Sequence, residues 1–250
     1  MPIKDSIYFN YDGVCSDEFG IINVAYDVGM YEEPFSPEQE IHEVIIPGRD
    51  DPYFVESKRL PLQIDLQFAF RDGFGENNCY LNNASRWLIR DYYKPLIFSE
   101  QPEKIYYCVY VGQTNLLHNC NSEGFIEISM RNIDPYARSP FYQTEVYESP
   151  AIIEFNNIGD VDIKPIIQLN IIDDTSITII NNTNNTSLEI LDLNAGDLVE
   201  IDTNYGTIKG VAYGDMEINN FKLDVGENKL LIAEHDKDWL IKLKYQYKFL

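Results

Sequence analysis

From Leu62 to Phe70 the chain alternates without a break. Leu62, Ile64, Leu66, Phe68 and Phe70 are apolar, with Gln63, Asp65, Gln67 and Ala69 between them. Successive side chains of a strand point to opposite faces, so a period of two sets one apolar face against a core and one polar face elsewhere. The same pattern closes the chain, where Trp239, Ile241, Leu243, Tyr245, Tyr247 and Phe249 are separated by Leu240, Lys242, Lys244, Gln246 and Lys248. It recurs at Ile126, Ile128 and Met130, at Ile167, Leu169 and Ile171, and at Ile177 and Ile179. The fold class this predicts is mainly β.

Upstream, Val44 to Ile46 is a short apolar run that stops at Pro47-Gly48. Proline lacks a donor N–H and glycine tolerates positive φ, so a strand should end there in a tight turn. Arg49 follows, between that turn and Asp50 and Asp51, a position that suits a fixed ion pair within the chain or with a neighbouring subunit. Before the run, Tyr31 to Glu40 holds two prolines and four glutamates and reads as a loop or arm. Nearer the start, Asp12-Gly13 marks a hairpin turn between a first strand and a second near Gly20 to Ala25. One helix is expected, capped by Asn82 or Asn83, running through Trp87 to about Tyr92 and ended by Pro95. Ala84, Trp87 and Leu88 form its apolar side. Further strands are expected at Ile97 to Ser99, Lys104 to Val111 and Phe125 to Met130.

Pro135, Pro140 and Pro150 break the pattern, which places a domain boundary near Ser139: residues 1–138 and 139–250. The second part reads as short strands every 8–12 residues with turn signals between them, the pattern of a β-sandwich.

Charge enters when partners are considered. The net charge is −22. Residues 1–138 carry 11 Lys+Arg against 22 Asp+Glu and residues 139–250 carry 8 against 19, so each part stands at −11. Such a chain does not bind nucleic acid by neutralising phosphates. All seven arginines precede Ser139, and arginine suits fixed contacts better than lysine. Cys15, Cys79, Cys108 and Cys120 form no C-x-x-C pair, and His42, His118 and His235 are scattered. Buried free thiols are expected, with no metal and no cofactor. Met1 to Asn10 has no apolar segment of signal-peptide length, and no run approaches the ~18 apolar residues of a membrane helix. Neither a G-x-S-x-G elbow nor a G-x-x-x-x-G-K-[ST] loop occurs, and no enzyme is expected.

Ile46-Pro47-Gly48-Arg49-Asp50 followed by a long alternating strand resembles the distal tail proteins of long-tailed, non-contractile phages. Asp134-Pro135-Tyr136 is similar to the pattern that closes the first domain of that family. In the second part, three phrases occur in an order and spacing similar to the family's galectin-like C-terminal domain. They are Asn157-Ile158-Gly159-Asp160 with Lys164-Pro165, then Leu193 to Leu198 with Ile201-Asp202, then Phe221-Lys222-Leu223 with Gly226-Glu227-Asn228. The resemblance covers most of the chain. It implies a ring-forming first domain of β-sandwich or barrel-like build with one helix, and a galectin-like β-sandwich projecting outward.

The function so implied is structural. A homohexameric ring at the distal end of the tail of a phage infecting a Gram-positive host would join the major tail tube protein to the tail-tip protein and anchor receptor-binding proteins. DNA would pass through its channel without being bound. The protein would be assembled in the host cytoplasm and reside in the virion, with no membrane. Pro47, Gly48, Arg49 and Asp50 would serve the turn or the oligomer interface. The rival reading is a carbohydrate-binding β-sandwich for cell-wall glycans, with Asn204, Tyr205 and Tyr213 as contacts and Trp239 facing the core. A glycan hydrolase comes third.

Overall fold

In the computed structural model of the protein, residues 3–24, 33–73, 79–118, 123–149, 151–210, 216–232 and 237–250 are described. The chain divides into two compact units, Met1–Arg138 with Leu250, and Ser139–Phe249.

The first unit contains β1 (Phe9–Tyr11), β2 (Val14–Cys15), β3 (Ile21–Asn23), β4 (Gln39–Val44) and β5 (Tyr53–Arg59). These are followed by β6 (Gln63–Phe70), helix α1 (Cys79–Leu88), β7 (Lys94–Phe98), β8 (Gln101–His118), β9 (Gly124–Asn132) and β10 (Ala137–Arg138). One sheet runs β2-β1-β7-β8-β9-β6-β3, with β10 added on β8. Among the described residues, β4 and β5 pair only with each other. The Asp12-Gly13 turn forms, with φ at +53° and +81° and Tyr11 paired with Val14 across it, but the strand it leads into is β2 and not the one expected near Gly20 to Ala25; β3 there follows a short helical turn at Ser16–Phe19 and pairs with β6 instead.

The alternation of β6 is realised residue by residue. Ile64, Leu66, Phe68 and Phe70 are buried, whereas Gln63 and Asp65 are exposed. The buried face gathers around Trp87 of α1, which stacks on Phe9 and Phe19 with centroids 5.6 and 4.7 Å away. The Trp87 indole N–H also donates to Tyr11 O at 2.8 Å. Ala84, Trp87 and Leu88 are the buried side of the helix, as the pattern predicts.

Four further local expectations are corrected. Asn82 and Asn83 lie inside α1 rather than capping it. The helix ends at Leu88, and Pro95 sits within β7. After the last α-type bond, Ile89 N–H to Ser85 O, the chain must become extended to enter β7, whose Lys94 already lies opposite Cys108 of β8, so the helix ends before any proline is reached. The strand expected at Val44 to Ile46 is β4, which stops at Val44, and Ile45 and Ile46 lie beyond it. β8 runs past Val111 to His118, because Gly112 at φ +84° forms an irregularity that lets the ladder with β9 resume at Asn115.

The second unit is a two-sheet sandwich. Its strands are β11 (Tyr142–Gln143), β12 (Tyr147–Glu148), β13 (Ile152–Asn157), β14 (Ile166–Ile171), β15 (Thr175–Asn181) and β16 (Thr186–Leu193). They continue with β17 (Leu198–Asp202), β18 (Thr207–Lys209), β19 (Met216–Asn219), β20 (Gly226–Ile232) and β21 (Trp239–Tyr245). One sheet is ordered β11-β21-β14-β17-β18, with β12 also on β21; the other is β13-β20-β15-β16-β19. Ile167, Leu169 and Ile171 of β14 and Trp239, Ile241 and Leu243 of β21 join the inward residues of the second sheet in one buried cluster. Trp239 faces this core, as its place in the alternation predicts. The fold is mainly β, and α1 is the only α-helix among the described residues.

Candidate functional site: an exposed arm and its anchor

β4 and β5 form a hairpin in register from Gln39 opposite Arg59 to Val44 opposite Tyr53, with an irregularity beside His42 and Glu43. Every residue of β4 is exposed, as is all of β5 except the half-buried Arg59. Ile41, Val44, Ile45, Ile46, Tyr53, Phe54 and Val55 are all exposed large apolar side chains, with Ile45 at 83%. A lone two-stranded hairpin is marginal in water, and an apolar patch on that scale marks a surface meant to be covered.

The arm is rooted firmly. Leu60 N–H donates to Glu38 O at 2.8 Å and closes its base. Arg59 donates to the Tyr136 hydroxyl at 2.9 Å, with its guanidinium 5.8 Å from the ring centroid. Tyr136 is itself held in a bracket. Asn132 Nδ2 donates to Asp134 O and Tyr136 O at 2.9 and 2.8 Å, Tyr136 N–H donates to Asp134 Oδ1, and Arg138 pairs with Asp134 Oδ2. The Asp134-Pro135-Tyr136 phrase is therefore the anchor of the arm.

At the tip, Gly48 sits at φ +88° and Arg49 N–H donates to Ile46 O at 3.1 Å, which is the turn that Pro47-Gly48 predicts. Arg49 and Asp50 are exposed there, and among the described residues neither side chain has an ion-pair partner.

The outward face of the first unit's sheet is polar. Gln67 Nε2 donates to Glu127 at 3.1 Å, Ser129 bonds Asp65, and Arg131 bonds the Tyr93 hydroxyl. Cys108 is buried, and burial pushes its thiol well above the usual range. Cys15 is half-buried and free, while the side chains of Cys79 and Cys120 lie outside the described residues.

The first and third phrases of the second unit meet for structural reasons, and the second phrase stands apart from them. Asn157, Asn181 and Asn228 are buried. Asn157 Nδ2 donates to Val161 O and Leu223 O, and its Oδ1 accepts Gly159 N–H. Asn181 Nδ2 donates to Lys222 O and to Asn228 Oδ1, and Asn228 Nδ2 donates to Asp224 O and Gly226 O. A Cβ on Gly159 would lie 2.7 Å from Lys248 O, so that position accepts no side chain. Leu193 to Leu198 is a loop in which Asn194 N–H donates to Asp197 Oδ2 and Gly196 N–H to Ile171 O.

Of the sugar-contact candidates, Asn204 and Tyr205 stand together in the β17–β18 turn, their N–H groups on Asp202 Oδ1, with Tyr205 72% exposed. Tyr213 lies outside the described residues. Sequence reasoning missed the Arg59–Tyr136 root and the aromatic cluster of Tyr142, Phe155, Tyr245 and Tyr247. The second could have been found from the odd tyrosines at the end of the last strand.

Known proteins place this architecture. Residues 4–134 match the family described as phage tail protein N-terminal domain. The SPbeta prophage-derived uncharacterized protein YomH of Bacillus subtilis strain 168 is 31% identical over 257 residues, covering 99% of this chain and all of that one. The crystal structure of the SPP1 Dit protein, described as a paradigm of the hub adsorption apparatus in phages infecting Gram-positive hosts, superposes with a TM-score of 0.74 at 13% identity, over 97% of this chain and 99% of that one. A chain of the phage P2 baseplate in its activated conformation with Ca gives 0.50 at 10% identity, over 97% and 99%. The chain belongs to the phage tail protein N-terminal domain family, and its fold is that of the phage hub protein Dit.

Proposed function

We propose that the chain is the distal tail protein of a siphophage, a homohexameric ring joining the tail tube to the tail-tip protein and anchoring receptor-binding proteins. The observation that carries this reading is the arm. Its seven apolar side chains are exposed among the described residues, and a ring of identical subunits supplies a cover: each copy covers the arm of the next, and the heterologous contact closes on itself. Arg49 then finds its partner on a neighbour. The outward polar face of β6 and β9, with Asp65 and Glu127 against Arg131, suits a channel wall that repels phosphates and leaves DNA free to slide. The work is done by interfaces, and no chemistry is required.

Light scattering after size exclusion tests this. A hexamer of a 29.0 kDa chain has a mass of 6 × 29.0, or 174 kDa, and appears as rings in negative stain. Ile45→Asp with Phe54→Asp should lower the mass while leaving the thermal transition in place, since both are exposed. A wild type that stays monomeric at high concentration refutes the ring. A double variant that assembles like wild type removes the arm from it.

A further inference from the structure

The two outer faces of the sandwich differ. On the β13-β20-β15-β16 side, Glu154, Glu189 and Glu227 are exposed. On the β21-β14-β17 side lies an open groove of about 440 Å³. Leu240, Asn170 and Leu198 lie directly opposite one another across its three strands, and Val146 flanks them. Leu198 is 68% exposed and Val146 54%. The next row is polar: Lys242, Gln168, Glu200 and Lys209. Glu200 is occupied, accepting from Gln168 Nε2 and Lys209 Nζ at 3.0 Å each, which holds its carboxyl below the usual range. Lys242 has no ion-pair partner among the described residues.

The groove is thus apolar with one uncompensated cation at its side. The arm tip has the inverse chemistry: the exposed apolar Ile45 and Ile46, followed by Asp50 and Asp51, whose carboxylates have no partner among the described residues. We propose that the arm tip of one copy seats in this groove of a second copy, Ile45 and Ile46 over Leu198 and Leu240, and Asp51 on Lys242. This rests on the ring reading above and names where the arm goes. A space of that size accepts on the order of two or three aliphatic side chains, which is what the tip offers. The groove and the tip lie in different parts of the chain, so the contact can run head to tail, and repeated in one direction it propagates around a ring.

The test uses full-length chains and the concentration at which half the protein is assembled, read by light scattering. Leu198→Asp should raise it at least tenfold with the thermal transition unchanged, because Leu198 is exposed in the single copy. Asp51→Lys and Lys242→Glu should each raise it several-fold. The double variant carrying both keeps the net charge at −22 and should return towards wild type. If Leu198→Asp assembles as wild type does, or if the charge-swapped double is no better than either single change, the seat is overturned. In that case, loss of assembly in Ile45→Asp still leaves the ring and the arm standing, with the arm docked elsewhere. A wild type that never exceeds monomer mass overturns both readings.

Discussion

Replacing Asn228 by alanine should be among the most damaging single changes in the second unit. Asn228 is 2% exposed and holds the Phe221 to Asn228 stretch together. Its Oδ1 accepts Asp224 N–H and Asn181 Nδ2, each at 2.9 Å, and its Nδ2 donates to Asp224 O at 2.7 Å and Gly226 O at 2.9 Å. Truncation leaves one backbone N–H and two carbonyls short of partners and removes one of the Asn181 amide's bonds. A buried group left unpaired costs about 1–3 kcal/mol, with carbonyls and partly wet groups at the low end, so the sum is about 3–4 kcal/mol. For a unit of this size that is a fall in Tm on the order of 10 °C or more. Glu227→Ala is the control, since that exposed neighbour should stay within about 0.5 kcal/mol. The chain has two tryptophans, Trp87 in the first unit and the buried Trp239 in the second. In a Trp87→Phe background, fluorescence reports on the sandwich alone during urea unfolding. A loss below about 1 kcal/mol, or an equal loss in Glu227→Ala, would show that the asparagine network does not hold these loops.

Trp87→Ala should cost about 3–5 kcal/mol in the first unit, since it empties the stack on Phe9 and Phe19 and orphans Tyr11 O; a loss under about 1.5 kcal/mol, read as the urea midpoint by circular dichroism, contradicts that packing. Burial keeps the Cys108 thiol neutral, so iodoacetamide at pH 8 should leave it intact in the native protein and modify it in urea; rapid native labelling, seen by peptide mass, would refute its burial. A hexamer carries 6 × −22, or −132, and repels itself, so rings should be more stable at ~0.3 M salt than at ~0.02 M, where the Debye length is several times longer. The proposed Asp51–Lys242 contact between copies runs the other way but, at the solvent-facing edge of the groove, is worth only ~0–1 kcal/mol. Rings that fall apart as salt is added, or measurable affinity for double-stranded DNA at physiological salt, refute the acidic channel.

The arm shows both how much the sequence discloses and where that stops. Alternation finds a strand wherever one face meets a core, and so β6, β14 and β21 were legible. It does not find helix ends set by a following strand's pairing, such as Lys94 of β7 on β8, nor a strand that continues past an irregularity at Gly112. The arm belongs to neither class. Tyr53-Phe54-Val55 of β5 does not alternate and is apolar on both sides of the strand, and the run Val44-Ile45-Ile46, which leaves β4 after Val44, does not alternate either. Continuous runs of that kind are read as strands covered on two faces. Among the described residues that cover is missing: all six residues are exposed, and β4 and β5 pair with nothing but each other. The pattern is correct about burial and silent about who provides it. Under the ring reading proposed above, the cover this pattern calls for comes from a second chain.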